Sequence, residues 1–425
     1  MILWIISIPY DYGELVPGAN TSTVPTGNSN IQVTASATVG GSWSALTSGT
    51  YTFTPNADNA NIDVTDIQNR LLGLSGNTRG NIRIVTTNGS GTQVGNVNIA
   101  TSIVAANEVG TAYTFTVDAG GSINVSSAIN MAANTGVSTS NRASMNVVLT
   151  AAGNISITSA ITTNAYTNNG SSGIGPAGSI SLTATGNISS SSAGTLNAIG
   201  GYSSWSGTYS RGGDVSISGA SVSLGGSISN GGAYTNNTSL TTGNIAISTT
   251  NTATTAGVND GQVSGVITGG NFTKSGAGVF ILKSVNTYIG TTTVSGGTLQ
   301  LGASNSIPSS SGLILSGGEF SSGGFTNTLA SIALSDNSTL RMVGSGVHTL
   351  TFTNLSTFTA SKILTINGWQ GTYANPGATG TAGRIVFSAT TSAGILNQIK
   401  FYNSSSGTTH TSIQLATKEI VAGNQ

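Results

Sequence analysis

Gly153-Asn154-Ile155-Ser156-Ile157 decides the fold, because close copies of it recur along the chain. Downstream they read Gly178-Ser179-Ile180-Ser181-Leu182, Gly213-Asp214-Val215-Ser216-Ile217 and Gly243-Asn244-Ile245-Ala246-Ile247. Upstream they read Gly80-Asn81-Ile82-Arg83-Ile84, Gly95-Asn96-Val97-Asn98-Ile99 and Gly121-Ser122-Ile123-Asn124-Val125. Each copy alternates apolar and polar residues with period two, so one face is buried and the other is wet. The last four copies begin at Gly153, Gly178, Gly213 and Gly243. That spacing is uneven but of the size of one solenoid turn, which fits coils with loops of varying length. One such strand cannot bury its apolar residues alone. Stacked coils bury them in a column and pair the backbone groups of each coil with the next. The pattern therefore predicts an all-β chain, a right-handed parallel β-helix with an irregular N-terminal segment. Roughly seventeen coils at ~4.8 Å spacing would make a rod about 80 Å long.

Composition narrows the function classes. Only 6% of the 425 residues are charged, against roughly 25% in an ordinary soluble domain. Twelve basic and twelve acidic residues cancel, so no long-range field steers nucleic acid or an anionic membrane to the chain. The chain has 60 glycines and no cysteine, which excludes disulfides and thiolate metal sites. Period-two blocks argue against a TIM barrel or a Rossmann fold.

The organisation reads as four parts. Residues 1–75 form an N-terminal segment with a short helix and a start that reads as truncated. Its apolar run Ile2, Leu3, Trp4, Ile5, Ile6 and Ile8, closed by Pro9, reads as a strand or as the interior of a longer protein. It has no basic flank and no small-residue cleavage site, and it is far short of ~20 apolar residues. The helix is expected over Asp63–Leu72, with Asp63 or Thr65 as N-cap and a Thr65/Gln68 capping box. Residues 76–270 read as coils with Gly/Tyr/Asn-rich loops, in which Ala-Tyr-Thr-Asn-Asn occurs twice, at Ala165 and Ala233. Residues 271–360 hold a sharper repeat, and 361–425 read as closing coils.

That repeat runs from Phe272-Thr273-Lys274-Ser275-Gly276-Ala277-Gly278 through Asn286-Thr287-Tyr288-Ile289-Gly290 to Ser295-Gly296-Gly297-Thr298-Leu299-Gln300-Leu301-Gly302. It resembles the autotransporter-associated β-strand repeat of bacterial passenger proteins. Gly276-Ala277-Gly278 and Gly296-Gly297 supply turns at which positive φ is expected, and Thr291-Thr292-Thr293-Val294 supplies a strand. Lys283-Ser284-Val285 departs from the family pattern and predicts a locally different corner. The stretches from Leu313 to Gly318, His348 to Phe352, Ile363 to Thr372 and Lys418 to Val421 resemble the segments that come after this repeat in the family. Residues 1–270 resemble secreted haemagglutinin-like β-helices in style. The resemblance implies the extracellular space or cell surface of a Gram-negative bacterium, outer-membrane export machinery as partner, and continuation into a membrane barrel or a sorting signal.

The chemistry points to binding. Glycoside hydrolysis needs two carboxylates facing each other at about 5–9.5 Å. Asp214, Asp260, Glu319 and Asp336 are scattered, and the close pair Asp63/Asp66 is explained by helix capping. Neither His348 nor His410 has a second ligand at metal-binding spacing, so no enzyme, metal or cofactor is expected. Gly173-Ile174-Gly175-Pro176-Ala177-Gly178 precedes a strand and lacks phosphate-cradling geometry. Asn154 and Asn337, both in Asn-x-Ser/Thr triplets, are better used in Asn ladders at coil turns. Tyr166, Tyr202, Trp205, Tyr209 and Tyr234 are the candidate ligand-binding residues, since ring faces beside amides and hydroxyls suit a neutral polysaccharide or a cell-surface glycan. The bland alternative is that these rings cap the core at the loop bases. A secreted structural or adhesive passenger is the first reading. A carbohydrate-active β-helix enzyme and an inert spacer are the alternatives.

Overall fold

A computed structural model describes residues 27–106, 110–133, 143–165, 175–203, 208–232, 242–251, 261–344, 346–373 and 378–424. The apolar run at residues 2–8 lies outside them.

A representative coil runs through the strands Asn146–Ala151, Ile155–Ile157 and Ile161–Thr162. Each lies parallel to its counterpart one coil before and one coil after. Asn146–Ala151 pairs with Thr114–Ala119 and Ile180–Ala184. Ile155–Ile157 pairs with Ile123–Val125 and Ile188–Ser190, and Ile161–Thr162 with Ile129–Asn130 and Leu196–Asn197. Repetition along the chain yields a first sheet of 16 strands, a second of 15 and a third of 6 among the described residues. Like residues stack on like: Ile123, Ile155 and Ile188 are fully buried at one register position. The fold is an all-β parallel β-helix.

The Gly-Asn/Ser opening of each strand has a physical cause. The polar side chain after the glycine reaches along the stack to a backbone N–H of the next coil. Asn96 Oδ1 accepts from Ser122 N, Ser122 Oγ from Asn154 N and Asn154 Oδ1 from Asn187 N, at 2.7–3.0 Å. At the entry to the first sheet, Asn146 Oδ1 accepts from Ser179 N, Ser179 Oγ from Asp214 N and Asp214 Oδ1 from Asn244 N. These bonds satisfy donors at corners, where the sheet ladder is interrupted. The glycine leaves room for them: a Cβ on Gly121 would collide with the Asn96 carboxamide, and one on Gly153 with the Ser122 hydroxyl. Asn337 follows the same rule, its Oδ1 accepting from Ile363 N at 2.8 Å. The triplet asparagines Asn154 and Asn337 are thus ladder residues.

This rule corrects the coil length read from the sequence. Gly80, Gly178, Gly213 and Gly243 open strands of the first sheet, whereas Gly95, Gly121 and Gly153 open strands of the second. The step from Gly153 to Gly178 is therefore a passage between faces. The register gives the true coils, in which Val147, Ile180, Val215 and Ile245 are successive stacked partners. From Phe272 the coils shorten, since Phe272, Thr292 and Leu313 are already stacked partners. The third sheet ends at Ile267–Thr268. Beyond it two buried asparagines take over that side. Asn286 accepts from Ile267 N and donates to the Ser306 carbonyl, while Asn327 accepts from Ile307 N and donates to its carbonyl. Gly276 and Gly297 have φ of 72° and 57°, as their turns require. The Lys283-Ser284-Val285 corner tracks the coil before it, Lys283 N donating to the Val263 carbonyl and the Ser284 hydroxyl to that of Ser264.

Among the described residues the stack is also shorter than seventeen coils. The 15-stranded sheet is parallel throughout apart from its last strand, Thr408–His410, and at ~4.8 Å per strand it spans about 65 Å. The long coils before Phe272 use up the chain, and one strand adds no coil of its own. Ile31–Thr34 is inserted between Ala60–Asp63 and Val97–Ile99, parallel to both. Asp58 clamps the entry to this strand, accepting from Ser29 Oγ, Thr92 N and Thr92 Oγ1.

The ends break the parallel pattern. At the N-terminal end Gly41–Trp43 runs antiparallel to Thr50–Pro55. Helix α1, Val64–Leu72, covers the early coils with Val64, Ile67 and Leu71 buried. Asp63 is its N-cap, accepting from Thr65 N at 2.8 Å. The expected Thr65/Gln68 box does not form, because the Gln68 amide donates instead to the Val104 carbonyl at 2.7 Å. At the C-terminal end Thr408–His410, Ser412–Gln414 and Glu419–Ala422 pair antiparallel, and a second helix, α2, spans Ala393–Gln398. Antiparallel ends and helices blunt edges that would otherwise template further strands.

Candidate functional site

Loop bases line up at one corner of the solenoid, between the third sheet and the first, in successive coils. They are stacked by backbone bonds from Ala133 N to Asn164 O, Ala165 N to Ile199 O and Gly200 N to Gly231 O, so they share one edge. Of the candidate residues, the structure brings two together there. Tyr202–Ser203 and Thr208–Tyr209 form an antiparallel hairpin with Tyr202 directly opposite Tyr209. The rings lie 4.8 Å apart, tilted by 32°. Ser210 secures the hairpin base, its N–H donating to the Gly201 carbonyl and its Oγ accepting from Gly201 N. Tyr166, Trp205 and Tyr234 lie outside the described residues, as do Gly173 and Ile174 of the glycine motif.

Sequence reasoning missed a second aromatic group, at the C-terminal cap. Trp369, Tyr373 and Tyr402 line a cleft of about 490 Å³. The available signal was the run Gly368-Trp369-Gln370-Gly371-Thr372-Tyr373, two aromatics spaced by glycine.

Five of the described carboxylates form ion pairs. Asp66 pairs with Arg70, Asp118 with Arg83, Asp214 with Arg211, Glu319 with Arg341 and Asp336 with Lys362. The Glu319–Arg341 pair is bidentate, both contacts 2.7 Å, and Glu319 holds the Arg341 guanidinium above its usual range. The Lys362 ammonium beside Asp336 holds that carboxyl below its usual range. Hydrogen bonds from Thr92, side chain first, do the same for Asp58. Among the described residues no group of three His, Asp or Glu could hold a metal, and Asp260 lies outside them. His348 is buried, with Nε2 at 2.9 Å from Ser322 Oγ and Nδ1 at 2.9 Å from the Gly346 carbonyl. His410 is buried between Thr408 Oγ1 and the Gly423 carbonyl. Burial pushes the Tyr288 phenol far up, and its hydroxyl joins Thr292 and Ser311 in an internal chain. The Asp118–Arg83, Glu319–Arg341 and Asp336–Lys362 pairs and the His348–Ser322 contact tie coil to coil.

The fold and these surfaces define a class: a long parallel β-solenoid with loop bases stacked along one edge. Within it, residues 272–301 match the family model described as Passenger-associated-transport-repeat. The chain thus carries the repeat of autotransporter passengers that the resemblance at Phe272–Gly302 implied. No curated protein and no solved structure matches the chain.

Proposed function

We propose that this chain is an adhesive passenger at the surface of a Gram-negative bacterium, a charge-poor rod that presents its loop edge to neutral glycans or to host or matrix surfaces. The observation that carries the reading is the stacked loop edge with Tyr202 and Tyr209 opposed on a hairpin, their rings 4.8 Å apart. Opposed rings suit the amphipathic face of a sugar, and neutrality suits a ligand without charge. The repeat at 272–301 supports export to the surface by outer-membrane machinery. On this reading residues 76–270 form the displaying body, 271–360 the repeat region, and 1–75 and 361–425 the two ends.

The test is retention of the purified chain on plant, algal and bacterial polysaccharides, scored also for released products. Retention without products, reduced about tenfold in the double variant Tyr202→Ala/Tyr209→Ala, is the expected result. New reducing ends or unsaturated sugars would replace this reading with an enzyme. Neither retention nor products would leave a spacer.

A further inference from the structure

The cleft at the C-terminal cap is built from two walls. One is the strand Ile399–Asn403 with the hairpin turn after it. Phe401 points into the core, and Tyr402 points outward and is 37% exposed. The other is Gly371–Tyr373, which comes after the turn at Gly368, where φ is 71°. Tyr373 ties the walls together, its phenol donating to the Tyr402 carbonyl at 3.1 Å. Its ring rests on His410 at 4.9 Å and edge-on against Trp369 at 5.3 Å. Trp369 is only 4% exposed and packs on Phe401 at 5.1 Å. Its indole N–H lies on the side of Gly380, where the buried Glu419 carboxylate also sits. The six-membered ring faces Gly371, where any Cβ would collide with it. The indole is therefore a fixed, buried base beneath the cleft, and only glycine fits against it at position 371.

The lining is neutral. Besides the aromatics it offers Thr372, Asn403, Ser404 and Ser405. Asn403 Oδ1 accepts from Ser405 N, which fixes the orientation of its carboxamide. A volume of about 490 Å³ lies in the ~300–1,000 Å³ range of small-molecule sites. Among the described lining residues there is no cation to hold an anion and no carboxylate to hold a cation. An extended peptide has no edge to join, because Ile399–Asn403 is already paired on both sides. What remains is a ligand with one apolar face and a rim of hydroxyls, complementary to phenol faces flanked by amide and hydroxyl groups.

We propose that this cleft binds a neutral pyranose unit, at a site independent of the loop edge, with Tyr402 as the ring on which the sugar rests. The inference stands whether or not the loop edge binds glycans.

The test is saturation-transfer NMR on the full chain carrying Tyr202→Ala and Tyr209→Ala, which removes the two opposed loop-edge rings, with cellotetraose, chitotetraose and maltotetraose as probes. Transfer to ring protons of at least one probe is expected. It should weaken about tenfold when Tyr402→Ala is added, as loss of a ring contact implies. Ser404→Trp, an exposed change that fills the cleft, should also abolish it in the same background and does not depend on how Tyr402→Ala folds. No transfer from any probe, or transfer that survives both cleft changes, overturns the proposal.

Discussion

Lys274 is one of twelve basic residues in the chain, and it is fully buried. Its Nζ donates to the carbonyls of Ser275, Gly276 and Gly296 at 2.6, 3.0 and 3.3 Å. The ammonium is a strut between the corners of two consecutive coils. Lys274→Met leaves those carbonyls without their charged donor and should lower stability by about 2–3 kcal/mol, read as a shift of the urea midpoint at constant slope. Period two from Phe272 already points Lys274 inward. Its acceptors were illegible, because they are backbone atoms of turns whose path the side-chain pattern does not specify. Asp336 carries a second prediction. Its folded pKa lies below the ordinary carboxylate value because of Lys362. The stability it contributes is complete above the unfolded value of ~3.9 and is lost as pH falls through the lower folded one. Asp336→Asn should be less stable than the parent at neutral pH and converge with it on acidification, measured as melting temperature against pH.

The recurring element is the strand opened by glycine and a short polar residue. Asn154→Ala removes the acceptor for Asn187 N and should cost about 1 kcal/mol. Ile155→Ala empties a fully buried position of the column and should cost about 2–5 kcal/mol. Denaturation of both variants checks the order of the two effects. Inward and outward faces could be read from alternation alone, and so could the capping use of asparagine. Coil length could not, because the same opening motif serves two sheets and the sequence does not mark which. Helix α1 was legible through Asp63, Ile67 and Leu71, whereas α2 buries none of its residues and so left no apolar stripe to find. The candidate site was half legible: the aromatic loops stood out by composition, but Trp369, Tyr373 and Tyr402 meet only because the cap folds back antiparallel.

At the scale of the molecule, stability rests on the apolar column and on neutral ladders. The ion pairs are single and mostly half-exposed, of the kind worth ~0–1 kcal/mol each. Raising salt from about 0.1 M to about 1 M shortens the screening length from ~10 to ~3 Å, and the melting temperature should therefore stay within a few degrees. A large fall would mean that the charges carry more than their geometry implies. The inserted strand Ile31–Thr34 has a mechanical consequence. A solenoid pulled by its first strand normally peels, because the terminal strand has a neighbour on one side only and its bonds break in turn. Here the first described strand is held on both sides, by Ala60–Asp63 and by Val97–Ile99. Tension applied ahead of Gly27 loads two parallel ladders in shear at once. At the first described strand, a pulling force must break two rows of bonds together.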